Sequence, residues 1–204
     1  MKKQIVYIHG ADSFDSYEDY IKYLKETEFS LDWFVQKKKW KMSLGEKLGD
    51  EFQILMPDMP NKFNAVYQEW KIWFEKMIPF INDGVILVGH SQGGTFLAKY
   101  LSENIYPKKI GALMLVAPPH TDTPDIGNFK LVGTRHGASP LENISAQCQE
   151  IHLFQSKDDP IVPYSEIERY QKDLPTAKLH IFEDRGHFLQ EIFPEIIEEI
   201  KNIG

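Results

Sequence analysis

Cysteine is almost missing from this sequence. Cys148 stands alone, which excludes an internal disulfide and any cluster of thiolate metal ligands. Long apolar runs are missing as well, and no stretch approaches the ~20 residues of a membrane span. The opening Met1-Lys2-Lys3 carries the charge of an export signal. The apolar run behind it, Ile5 to Ile8, stops at His9-Gly10, short of the about 7–15 residues such a signal needs. A cytoplasmic protein with no membrane association is the resulting expectation. Positive charge is in deficit: 23 Lys and Arg stand against 30 Asp and Glu, a net charge of -7. Such a surface repels phosphate backbones, so nucleic acid is not an expected partner. The run Lys37-Lys38-Lys39-Trp40-Lys41 is a local exception and reads as a solvated face.

Nucleotide and metal signatures are absent too. No Gly-x-Gly-x-x-Gly follows a strand-like run, and no phosphate loop ends in Gly-Lys-Ser/Thr. His90, His120, His136, His152 and His180 show neither His-x-x-x-His spacing nor a Glu-paired zinc pattern. No metal and no other cofactor is expected. His152 and His180 fall inside strand-like runs, where core or surface roles are expected rather than ligation.

What is present is an alternation. Short apolar, β-branched runs at 4–8, 52–56, 85–88, 110–116, 150–154 and 178–182 read as strands. Several are apolar almost throughout, as happens when helices cover both faces of a parallel sheet. Between them lie amphipathic segments at 17–25, 66–81, 93–104, 165–173 and 191–203. In the last, Ile192, Phe193, Ile196, Ile197, Ile200 and Ile203 form a stripe. The pattern predicts one α/β domain over residues 1–204, with about six parallel strands flanked by helices on both faces. Two stretches break the alternation, 26–49 and 118–145. Long irregular connections are commonly functional, and both are expected as covers of the site.

The strongest chemical signal is Gly89-His90-Ser91-Gln92-Gly93-Gly94, set between a strand-like run and a helical one. A Gly-x-Ser-x-Gly elbow needs small residues because neighbouring backbone passes close to the serine. The tight turn lifts the hydroxyl above the sheet, and the following helix turns amides toward developing negative charge. Three specified positions arise by chance in roughly one chain in fifteen of this size, so the flanking elements carry the weight. Partners stand at the ends of later strands. Asp158-Asp159-Pro160 follows the fifth, and Gly186-His187-Phe188 follows the sixth. The order serine, acid, histidine is the one an α/β sheet of this kind uses. Ser91 is the expected nucleophile, His187 its base and Asp159 the acid, with Asp158 the alternative that spacing does not exclude. His9-Gly10-Ala11 ends the first strand, and the amides of Ala11 and Gln92 are the expected oxyanion donors. Phe14, Met59, Pro119, His120 and Phe188 are the expected pocket walls by position.

Val88 to Gly94, Asp158 to Pro163 and Gly186 to Phe188 together resemble the α/β-hydrolase superfamily. The short chain, Met56-Pro57-Asp58-Met59-Pro60 with Trp70, and Ser139 to Ser145 resemble one subgroup within it. That subgroup is the small serine hydrolases that hold bacterial YdeN-type proteins and the animal retinoblastoma-binding serine hydrolase. The resemblance covers nearly the whole chain. It implies a six-stranded sheet, a Ser-Asp-His triad without cofactor, and hydrolysis of carboxylic esters. Esters of short or medium acyl chains, cleaved through an acyl-enzyme, are the expected substrates. The resemblance departs in Lys157 and in the length of 26–49. The rival expectation is a weakly active or inactive member of the fold acting as a protein-binding module; the sequence itself indicates no protein partner.

Overall fold

The apolar runs become the strands of one sheet. A computed structural model describes residues 2–120, 126–131 and 141–203, apart from the side chain of Asp32. In chain order the elements are β1 (Lys3–Ile8), α1 (Tyr17–Glu26), α2 (Leu44–Leu48), β2 (Phe52–Leu55), α3 (Tyr67–Glu75), β3 (Val85–His90), α4 (Gln92–Glu103), β4 (Ile110–Val116), α5 (Glu142–Ser145), β5 (Cys148–Ser156), α6 (Tyr164–Asp173), β6 (Lys178–Phe182) and α7 (Pro194–Asn202). The sheet has six strands in the order β2-β1-β3-β4-β5-β6, and every neighbouring pair is parallel.

Alternate residues of each strand feed two cores. Val6, Ile8, Leu87, Leu113 and Leu153 join Trp70, Phe74, Phe96, Leu101 and Tyr170 from α3, α4 and α6. Ile5, Tyr7, Val88, Met114 and Phe154 join Trp40, Leu44, Phe193, Ile196 and Ile200 on the side of α2 and α7. Burial on both faces is why these strands read as continuous apolar runs.

Proline explains two departures from the expected helices. The run at 66–81 is two pieces, α3 and a single 3-10 turn at Ile78–Phe80 holding Pro79. The last helix begins at Pro194 rather than Glu191, since proline has no N–H to donate and is suited to the first helical turn. Ile192 therefore lies outside the stripe and is exposed. The connection at 26–49 also divides. Phe29, Leu31, Trp33 and Phe34 are exposed, whereas Trp40, Leu44 and Leu48 are core. The lysine run is thus no uniform solvated face, because its tryptophan is an anchor. Of 118–145, residues 121–125 and 132–140 lie outside the described residues, so His136 and the cover expected there do too. Among the described residues no helix is long and apolar enough to cross a membrane.

Strand order reverses between β1 and β3, and the crevice at the carboxyl ends of such neighbours is where open α/β sheets bind ligands. The chain packs tightest below that crevice. A Cβ on Gly93 would stand 2.3 Å from the Ile8 carbonyl oxygen and 2.6 Å from that of His9. One on Gly89 would stand 2.5 Å from the Gly93 carbonyl oxygen. These contacts are with backbone, which does not rotate away. Gly93→Ala is expected to cost about 3 kcal/mol, the upper part of the range for overpacking. A urea titration checks it, and a wild-type midpoint would refute the close approach.

Candidate active site

Ser91 occupies the turn from β3 into α4 with φ 54° and ψ -128°. A non-glycine residue held there carries on the order of 1–3 kcal/mol of strain. The surroundings hold it: the Ser91 amide donates to the Val116 carbonyl at 2.8 Å, and the Gly94 amide donates to the Ser91 carbonyl at 2.8 Å. Gln92 contributes the first amide of α4, which has no acceptor within its own helix.

His9-Gly10-Ala11 closes the crevice from β1. His9 Nε2 accepts the Met59 amide proton at 2.9 Å, so the ring proton is on Nδ1, which donates to the Gly10 carbonyl at 2.8 Å. Burial pushes the His9 pKa down, which keeps this neutral tautomer. Across a planar trans peptide N–H and C=O point in opposite directions, so the Ala11 N–H faces away from the imidazole. A Cβ on Gly10 would stand 3.0 Å from the Ser91 Cβ. Glycine is what lets this loop lie against the serine.

The loop between β6 and α7 brings the His187 ring to 4.9 Å from that of His90, the neighbour of Ser91. His187 Nδ1 donates to Asp159 Oδ2 at 2.8 Å, with the carboxylate wholly buried. Asp159 also accepts from the amides of Ile161 at 2.8 Å and Val162 at 3.0 Å and from Gln155 Nε2 at 3.3 Å. These donors fix the orientation of the carboxylate. The lone pair of the imidazole is then on Nε2. Asp158 instead braces the loop backbone, its Oδ1 accepting from the Ser156 hydroxyl at 2.5 Å and the Gly186 amide at 2.8 Å. The two acids left open by spacing are thereby distinguished in position, since only Asp159 contacts the ring.

Sequence reasoning missed how the His187 loop is held. Ser156 Oγ accepts the Arg185 amide at 2.9 Å. Trp40 Nε1 donates to the Phe188 carbonyl at 2.9 Å, and the Trp40 amide donates to the Gln190 carbonyl at 2.9 Å. His90 Nε2 donates to the His187 carbonyl at 2.9 Å, with the two rings 4.9 Å apart. Burial, reinforced by His187, pushes the His90 pKa down to about 3, so His90 is neutral and its proton stays on Nε2. Phe188 adopts a φ of 52°. Only an aromatic residue within a lysine run hinted at Trp40. Among the described residues no hydrogen bond joins the Ser91 hydroxyl to the His187 ring; such contacts commonly close only once substrate is bound.

Of the expected pocket walls, Phe188 and Met59 are buried in the cores. Phe188 is wholly buried against Phe182 and Phe193, so it anchors the loop rather than facing substrate. Met59 is core. The Pro119 carbonyl accepts from the Thr95 and Tyr170 hydroxyls. His120 is buried, with Nε2 3.0 Å from an Asp173 carboxylate oxygen. Phe14 packs on Tyr20 and Tyr23 of the first helical segment. An open hollow of about 790 Å³ lined by Lys2, Lys3, Leu48, Glu51, Phe52 and Lys201 lies at the amino ends of β1 and β2, away from Ser91.

The structure thus holds a strained serine at a helix N-terminus, and an imidazole, oriented by a buried carboxylate, whose ring lies 4.9 Å from that of the preceding His90. The serine hydrolase family model matches residues 35–194. The chain is 31% identical to rat serine hydrolase RBBP9 over 154 residues, 74% of this chain and 78% of that protein. It is 25% identical to the putative hydrolase YdeN of Bacillus subtilis over 194 residues, 94% of this chain and 88% of that one. The crystal structure of the B. subtilis ydeN product superposes with a TM-score of 0.76 at 20% identity, covering 99% of this chain and 98% of that one. The chain belongs to the serine hydrolase family and has the α/β-hydrolase fold.

Proposed function

We propose that this serine hydrolase cleaves carboxylic esters of short or medium acyl chains through an acyl-enzyme, with Ser91 as nucleophile, His187 as general base and Asp159 as the orienting acid. The observation that carries the reading is the 2.8 Å hydrogen bond from His187 Nδ1 to the buried Asp159 carboxylate, with the His187 ring 4.9 Å from that of His90, the residue before the strained Ser91. In this mechanism His187 Nε2 takes the hydroxyl proton as Oγ adds to the acyl carbonyl. The Ala11 and Gln92 amides hold the oxyanion, each worth about 2.7–4 kcal/mol in the transition state. Collapse expels the alcohol, which receives the proton from His187. Water then adds to the acyl-enzyme by the same route in reverse and releases the acid. The partner in this reading is a small acyl ester, met in the cytoplasm.

Ser91→Ala is expected to abolish labelling by a fluorophosphonate probe and to lower turnover of nitrophenyl esters by on the order of 10⁶. An unlabelled but folded wild type would instead favour the binding-module reading. A chain-length series of the same esters reports the acyl preference.

The two neighbouring acids separate in a second assay. Asp159→Asn loses the charge that fixes the His187 tautomer, and kcat should fall by about 10⁴. Asp158→Asn keeps an acceptor oxygen for Ser156 and Gly186, so its loss should be about tenfold or less, near one hydrogen bond's worth. The reverse ranking in steady-state kinetics would reassign the acid.

A further inference from the structure

A second cluster of chemically capable side chains lies under α7, and shares no residue with the Ser91 site. His152 of β5 and His180 of β6 project to the same face of the sheet, where Phe154 stacks on His180 at 4.3 Å with 9° between ring planes. His152 Nδ1 is 3.1 Å from His180 Nε2 and 3.4 Å from a carboxylate oxygen of Glu199 on α7. One nitrogen from each ring and one carboxylate oxygen all lie within 4.8 Å of one another. His152 is wholly buried, while His180 and Glu199 are half-buried.

Two properties distinguish this cluster from ordinary packing. Glu150 Oε2 stands 3.2 Å from His152 Nε2. A carboxylate only accepts, so Nε2 carries the proton and Nδ1 turns a lone pair toward His180 and Glu199. A carboxylate holding the far nitrogen is the device that orients histidines at metals. The spacing fits as well. Ligands about 2.0–2.2 Å from a tetrahedral ion stand about 3.3–3.6 Å from one another, beside the 3.1 and 3.4 Å found here.

We propose that His152 Nδ1, His180 Nε2 and Glu199 form a binding site for a divalent ion of the zinc class, with water as fourth ligand. Without an ion, His180 Nε2–H donates to His152 Nδ1 between rings 4° from parallel. On binding, His180 changes tautomer: its proton leaves Nε2 and is regained on Nδ1 through solvent. The half-buried ring tilts in its plane to open the gap. The ion joins β5, β6 and α7, and the segment carrying His187 runs between the last two. It would fasten both ends of that segment without taking part in the chemistry at Ser91, and the inference does not rest on the esterase reading.

The test uses the full chain, stripped with chelator and titrated with zinc chloride by calorimetry. One equivalent should bind, and Tm should rise by about 5 °C at a hundredfold excess over Kd. Glu199→Gln and His180→Ala should each weaken binding at least tenfold. Glu150→Gln, which touches no ion, should weaken it about 10–100-fold. Cobalt should give the intense visible bands of a tetrahedral site. Absence of stoichiometric binding, an octahedral cobalt spectrum, or unchanged affinity in Glu199→Gln would overturn the proposal. Glu199 lies on the outer helix, so that variant serves even if His180→Ala fails to fold.

Discussion

Everything at the carboxyl edge of this sheet depends on how closely main chain crosses main chain beneath Ser91. Where a Cβ on Gly93 would sit, the carbonyls of Ile8 and His9 already stand. That contact sets α4 against the end of β1 and brings the first amide of the helix beside the loop holding Ala11. It also explains how a non-glycine residue keeps a φ of 54°. The strain is local, whereas the packing that opposes its release is spread over two cores and three strands. A turn held in this way keeps its hydroxyl in place without a rigid side-chain cage.

A second constraint acts from the opposite side. The imidazole of His187 is oriented by one buried carboxylate, but its backbone is hung from several elements. Ser156 and Asp158 hold it from β5 and the turn after it, His90 from β3, and Trp40 from the long connection before α2. The two halves of the site are therefore joined through His90, which belongs to the elbow yet bonds to the histidine loop. Neutral His90 is well suited to that position, because its Nε2 proton is free to donate to the His187 carbonyl.

Much of this was legible in the sequence, and the limits have physical causes. The strands were readable because burial on both faces leaves them almost purely apolar. The positions of Ser91, Asp159 and His187 in the turns after β3, β5 and β6 were readable because glycine or proline stands within two residues of each. Helix limits were less so: Pro79 and Pro194 override the apolar periodicity around them. The direction of Phe188 could not be read, since position after a strand does not say whether a side chain faces the crevice or the core, and Phe188 faces the core. Trp40 was hidden by its lysine neighbours. His152, His180 and Glu199 follow no local spacing, because they meet only through strand register and the docking of α7.

The loop bearing His187 is held mainly through its own amides and carbonyls. The groups that grip it come from other parts of the chain, while the side chains of Leu189 and Glu191 remain turned to solvent. Peptide groups are the same in every residue, so those exposed positions are open to substitution at little expense to the placement of the ring. Evolution could thus vary the rim of such a site, and with it the range of molecules admitted, while leaving the reacting groups where they stand.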